Sequence, residues 1–163
     1  MNKKILDQKG LTLIELLASL VITITLSFFA FNLLTQGLNH YENIKSSNTL
    51  RDEADYLMAV LVKEIYTTKE TEISSHPEAS KPYFLITKSG KTFKSGFDNG
   101  KLFIQSVSTG TENKNISIST KSTIVAGEDD GSYKINLVLE NKKKNKEMQF
   151  ENEIRTINDK EEN

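Results

Sequence analysis

The sequence predicts an α+β protein in which one long N-terminal helix packs on an antiparallel β-sheet. The first half of that helix is apolar and the second half amphipathic. Three observations predict this class. A continuous apolar run stands near the start of the chain. A stripe of apolar residues recurs every three to four positions after it. Beyond residue 82, apolar and polar residues alternate between turn signals. The 163 residues suffice for one modest domain and an appendage. Apolar residues make up 37% and charged residues 26%, which is globular rather than disordered composition. A formal net charge of −1 gives no global bias toward nucleic acid. With no cysteine, a disulfide framework, a thiolate metal site and a cysteine nucleophile are all excluded.

The first element is LTLIELLASLVITITLSFFAFNLL, residues 11–34, with a single charge at Glu15. As a helix these residues span roughly 36 Å, enough to cross a bilayer core of about 30 Å. A secretory signal peptide is one reading, but its apolar region is usually shorter and followed by small residues, and FFAFNLL is a poor cleavage site. A plain membrane anchor is another. It accounts for Lys3, Lys4 and Lys9 on the inner side but not for an acid within the span.

KGLTLIELL resembles the prepilin signature of the type IV pilin and pseudopilin family, in which a short basic segment ends in glycine. The resemblance covers about the first 30 residues. It implies cleavage by a prepilin peptidase between Gly10 and Leu11, N-methylation of Leu11, and Glu15 as the fifth mature residue. In the family that glutamate sets register by meeting the terminal amine of a neighbouring subunit. The implied organisation is a cleaved leader (1–10), a transmembrane and assembly helix (11–34) and an amphipathic continuation (35–73). A sheet domain (82–157) and a disordered tail (158–163) follow. Leu11 stands where the family usually has phenylalanine. That, with the missing cysteines, points to a minor rather than a major subunit. The implied partners are the peptidase, other pilin or pseudopilin subunits, membrane lipids and, through the filament, DNA. The implied location is the cytoplasmic membrane, with the C-terminal part outside it and at the cell surface once assembled. The resemblance implies no cofactor.

Thr12, Glu15, Ser19, Thr23 and Ser27 recur at spacings of three and four, so they share one helix face. Small hydroxylated residues on one face allow helices to approach closely. The alternative is that they bond to carbonyls of their own helix.

The helical signal continues to about Thr68. Leu50, Ala54, Leu57, Met58, Leu61 and Ile65 share a face, while Arg51, Asp52, Asp55, Lys63 and Glu64 lie mostly off it. Thr49 and Asp52 look like a capping box, which predicts a bend or a fresh helix start near 46–49. Strands are expected at 82–88, 91–97, 101–107, 115–120, 133–140 and 146–157, giving one sheet of five to seven strands. Ser89-Gly90 and Asn99-Gly100 mark hairpin turns.

Candidate chemistry is sparse. His40 and His76 have no second ligand at metal spacing, and His76 reads as a solvent-exposed loop residue. Glu128, Asp129 and Asp130 lack the alternating ligands of a calcium loop, and Asp130-Gly131 reads as a turn. NKKKNKE (141–147) offers lysines to phosphates, though a solvated hairpin tip accounts for it as well. Without the three leader lysines and Asp7, 18 basic and 21 acidic side chains remain, which weakens a general claim to DNA. No nucleophile–base pair or phosphate loop appears. The expectation is therefore a substrate of a peptidase, not an enzyme. The competing expectation is a single-pass anchored extracellular binding domain that does not assemble.

Overall fold

The computed structural model describes residues 12–129, 131–157 and 159. The expected cut at Gly10 and Leu11, the leader, Asp130 and most of the expected tail lie outside the described residues. Among the described residues the architecture is α+β, with one α-helix, α1 (Leu13–Tyr66), and nine strands. The chain divides into two units, Met1–Ile44 and Lys45–Asn163.

In the second unit, the buried positions of α1 are Ser46, Leu50, Glu53, Ala54, Leu57, Met58, Leu61, Glu64 and Ile65, a stripe at the helical period. The helix is continuous through 46–49, so of the expected bend or fresh start no fresh start occurs. Thr49 Oγ1 donates to Lys45 O at 2.9 Å, as a hydroxyl inside a helix does. Ser46 is buried and accepts from Asn141 Nδ2 at 3.1 Å. Glu64, expected off the core face, is also buried. The helix closes at Tyr66 rather than running on to 73. Thr67 and Thr68 donate their hydroxyls to the carbonyls of Lys63 and Glu64, satisfying acceptors that a helix end leaves open. A 3-10 turn, Glu70–Glu72, and the first strand follow.

The strands form two antiparallel sheets rather than one. The first is a meander of β1 (Ile73–Ser75), β2 (Tyr83–Lys88), β3 (Lys91–Asp98), β4 (Lys101–Ile104) and β5 (Val107–Thr109), each pairing with the next. Three two-residue turns connect β2 through β5, and both central residues of each have positive φ, the twist that tight hairpins require. Ser89-Gly90 and Asn99-Gly100 fit the sequence signal. Gln105-Ser106, with no glycine, breaks the expected strand 101–107 in two. Left-handed backbone costs about 1–2 kcal/mol for such residues. Local bonds offset it: Gln105 N–H donates to Ser95 Oγ at 3.0 Å, Ser106 N–H to Lys94 O at 2.7 Å, and Lys94 N–H to Ser106 Oγ at 2.8 Å.

The second sheet is built on β8 (Ser132–Asn141). The strand β9 (Lys146–Arg155) pairs along its whole length on one side. On the other side, β6 (Ile116–Ile118) pairs with residues 139–141 and β7 (Thr123–Ala126) with residues 133–136. The gap between β6 and β7 is closed by loop residues. Val138 N–H donates to Ser122 Oγ at 3.0 Å, and Ser119 N–H to Val138 O at 2.8 Å. Tyr133, Ile135, Leu137 and Leu139 face inward as their alternation predicts, and they join Leu50, Leu57, Leu61, Phe84, Phe97 and Leu102 in one core. The helix residues from Leu50 to Ile65 are therefore part of the sheets' core.

Candidate functional site: the exposed apolar helix

From Leu13 to Ile44 every residue of α1 is exposed. The apolar residues include Ile14, Leu17, Val21, Phe28, Phe31 and Leu34, each about half or more exposed. One 18-residue window of this helix is long and apolar enough to cross a membrane, and none of it is buried. That separates it from the core helix of a water-soluble protein, whose apolar stripe would be covered. An apolar surface this extensive on one chain marks a membrane or protein contact.

The helix begins with a capping box. Thr12 N–H donates to Glu15 Oε2 at 2.8 Å, and Thr12 Oγ1 donates to the same oxygen at 2.9 Å. Glu15 N–H reaches back to Thr12 Oγ1 at 3.4 Å. The T-x-x-E spacing of Thr12 and Glu15 carries this signal in the sequence. Both carboxylate bonds fall on Oε2, so Oε1 makes none among the described residues.

Farther along, Ser19 Oγ donates to Leu16 O at 2.9 Å, Thr23 Oγ1 to Ser19 O at 2.8 Å and Ser27 Oγ to Thr23 O at 2.8 Å. Thr25, Asn32 and Thr35 bond to carbonyls four residues earlier in the same way. The helix thus satisfies its own hydroxyls, and the face they share keeps small side chains outward.

Other candidates resolve into local structure. Glu128 pairs with Lys134 at 2.9 Å, and Asp129 pairs with Arg155. The Lys134 ammonium holds the Glu128 carboxyl below its usual range, and Glu128 in turn raises Lys134. Gly131, at φ 71°, sits in the turn joining β7 to β8. Lys142–Asn145 form the exposed loop between β8 and β9. His76 is exposed yet tethered: its Nδ1 lies 2.6 Å from the hydroxyl of buried Tyr133, and its Nε2 lies 3.7 Å from Glu70 Oε1. Glu70 Oε2 also accepts from Thr156 Oγ1 at 2.8 Å. Sequence spacing gives no sign of this cluster, because its members are brought together by the fold. Among the described residues, no group of three or more His, Asp or Glu side chains is placed to hold a metal ion.

No known protein family, curated protein or solved structure matches the chain.

Proposed function

We propose that this chain is a minor pilin or pseudopilin subunit, cut after Gly10 and assembled into a type IV filament-like structure. Such a filament would serve DNA uptake, adhesion or motility, or protein secretion. The observation that carries this reading is the wholly exposed apolar half of α1 with Glu15 in its first turn. Its surface is uncovered in the single chain and fits lipid before assembly and neighbouring helices after it. Lys3, Lys4 and Lys9 favour an inner N-terminus, and in this reading the sheet domain is extracytoplasmic.

Cleavage would leave a cationic amine on Leu11, and methylation would keep its charge. Glu15 keeps Oε1 for such an amine while Oε2 caps its own helix. Away from water the carboxylate and the ammonium each carry a desolvation cost, and a close pair offsets it only at the right axial offset. The pair then acts as a register device between subunits. In this reading the chain is a substrate of the peptidase and not itself an enzyme. The small outward face of Thr12, Ser19, Thr23 and Ser27 supports close helix packing.

A second reading is a single-pass anchor for a binding domain that does not assemble. The hydroxyls of Ser19, Thr23 and Ser27, satisfied within their own helix, favour it.

Glu15→Gln and Glu15→Ala in the native host separate the two readings. A pilin variant is still cleaved but disappears from sheared filaments. Normal incorporation of both variants would refute the register mechanism.

A further inference from the structure

The second sheet ends on a strand edge that its own unit leaves unpaired. Val138 turns its backbone N–H and C=O away from β9, to Ser122 Oγ and to the Ser119 N–H. These directions alternate along a strand, so Tyr133, Ile135, Leu137, Leu139 and Asn141 face β9. Their partners in the ladder are Ile154, Asn152, Phe150, Met148 and Lys146. The backbone groups of Glu147, Gln149, Glu151, Glu153 and Arg155 therefore point outward. Among the described residues no strand and no backbone bond meets them. Ile157 shows that this side accepts a partner: its N–H donates to Thr68 O at 3.2 Å, and its C=O accepts from Glu70 N–H at 2.9 Å.

Edge strands are commonly shortened, bulged or broken by proline, because an open row of donors and acceptors recruits another chain. The strand β9 uses none of these devices. Its ladder runs from Lys146 to Arg155 without a bulge, and it holds no proline. What it carries is charge. Glu147, Gln149, Glu151, Glu153 and Arg155 are all exposed and share one face. Glu147 is paired with Lys121 at 2.8 Å, and Arg155 with Asp129. No lysine or arginine pairs with Glu151 or Glu153 among the described residues; Lys134 stands opposite Glu153 but bonds to Glu128 at 2.9 Å. Beside these two acids lies a concavity of about 430 Å³ over β7, β8 and β9. In it Asn136 Oδ1, on the residue opposite Glu151, is buried with no hydrogen-bond partner among the described residues. On the other face of β9, Met148 and Phe150 are half-buried against the core.

Charge selects the occupant. A second copy pairing antiparallel through these outward groups sets odd-numbered residues opposite odd-numbered ones. Centred on Glu151, it places that side chain against its own copy. Shifted by one step either way, it sets Glu147 or Glu151 against Glu153. In-register parallel pairing sets every glutamate beside its own copy. Like charges directly opposite destabilise a ladder. A strand with lysine or arginine on that face meets Glu151 and Glu153 instead. Such a side chain starts about 5 Å from β9 and can reach across it toward Asn136 Oδ1.

We propose that the free edge of β9 is a docking site for an extended segment of another protein, with basic residues at alternate positions and apolar residues between them. The basic residues lie over Glu151 and Glu153, and the apolar ones beside Met148 and Phe150. Backbone bonds give affinity, and the alternation gives specificity. The inference rests on the sheet unit alone and goes beyond the filament reading, since it requires neither cleavage nor assembly.

The test uses the full chain in detergent and a blocked peptide of roughly nine residues alternating lysine and valine. Amide exchange is followed by NMR. With peptide at about ten times its Kd, exchange at Gln149, Glu151 and Glu153 is expected to slow about tenfold. Met148, Phe150 and Asn152, already bonded to β8, are expected not to change, so protection falls on alternate residues. Glu151→Pro removes one outward donor at a position where an edge tolerates proline, and should abolish the protection with the β8–β9 ladder intact. Glu151→Lys with Glu153→Lys should weaken binding of the lysine peptide at least about tenfold and admit a peptide alternating glutamate and valine. No alternate protection at peptide concentrations up to about 1 mM overturns the proposal. So does equal binding of a peptide with the same composition and its lysines grouped together, which would reduce the face to charge attraction. Concentration-dependent protection of the same amides without peptide would assign the edge to a second copy and overturn it too.

Discussion

Replacing Glu53 with alanine removes a buried carboxylate that fastens the segment before β6 to the helix. Its Oε2 accepts from Glu112 N–H at 3.0 Å and its Oε1 from Asn113 N–H at 2.7 Å, and the residue is only 7% exposed. A hydrogen bond to a charged group contributes about 1.5–3 kcal/mol, so two give about 3–6 kcal/mol. Relief of the carboxylate's desolvation returns part of this, leaving an expected loss of about 2–4 kcal/mol for Glu53→Ala. Glu53→Gln keeps one acceptor and turns a donor toward the other N–H, so about half the alanine loss is expected. Urea unfolding of the full chain at fixed detergent, followed by tyrosine fluorescence, measures the midpoint shift at constant slope. Hydrogen exchange at the amides of Glu112 and Asn113 supplies the local readout, with protection falling in both variants. A loss below about 1 kcal/mol for alanine, or unchanged exchange at these two amides, would refute the assignment.

Other outcomes are as specific. Leu57→Ala opens a cavity at a position 1% exposed and should cost about 2–5 kcal/mol in the same urea assay. Gly96→Ala should prevent formation of the first sheet: φ is +135°, and a Cβ would lie 2.6 Å from Tyr83 Cα, so loss of the β2–β3 amide protection is the check. Ser89→Gly should stabilise by up to about 1 kcal/mol, because Ser89 holds a φ of 52° that glycine adopts freely. The Thr71 hydroxyl holds the Asp159 carboxyl below the usual carboxylate range, with the Thr71 backbone N–H and Lys69 acting in the same direction. A lowered folded pKa means that this contribution is present above about pH 4 and is lost as pH falls through the folded value. Asp159→Asn should therefore flatten the acid limb of the stability profile, and an unchanged limb would contradict the contact.

The helix was legible because its signals are local. The stripe from Leu50 to Ile65 repeats at the helical period, and the Asn99-Gly100 turn names its own geometry. The break at Gln105-Ser106 was not legible, because its positive φ values are held by Ser95 and Lys94 rather than by a glycine. Strand β7 is four residues long, and β1 is three, too short for alternation to show. The division into two sheets depends on non-local pairing that no window contains. Glu53 and Glu64 look like surface acids, and only the positions of Asn113 and Gln105 explain their burial. At the candidate site, the spacing of Glu15 from Gly10 singled it out, and the T-x-x-E spacing held its capping role in plain view. The tethering of His76 to Tyr133 spans 57 positions and was not readable from sequence.

The central claim is that the apolar helix belongs to a processed filament subunit. Intact mass and N-terminal sequencing of the protein extracted from membranes of its native host test it most directly. The account expects a start at Leu11, with a methyl group on the new amine. A start at Met1 in a host with an active prepilin peptidase, or a start beyond the apolar run, would contradict it.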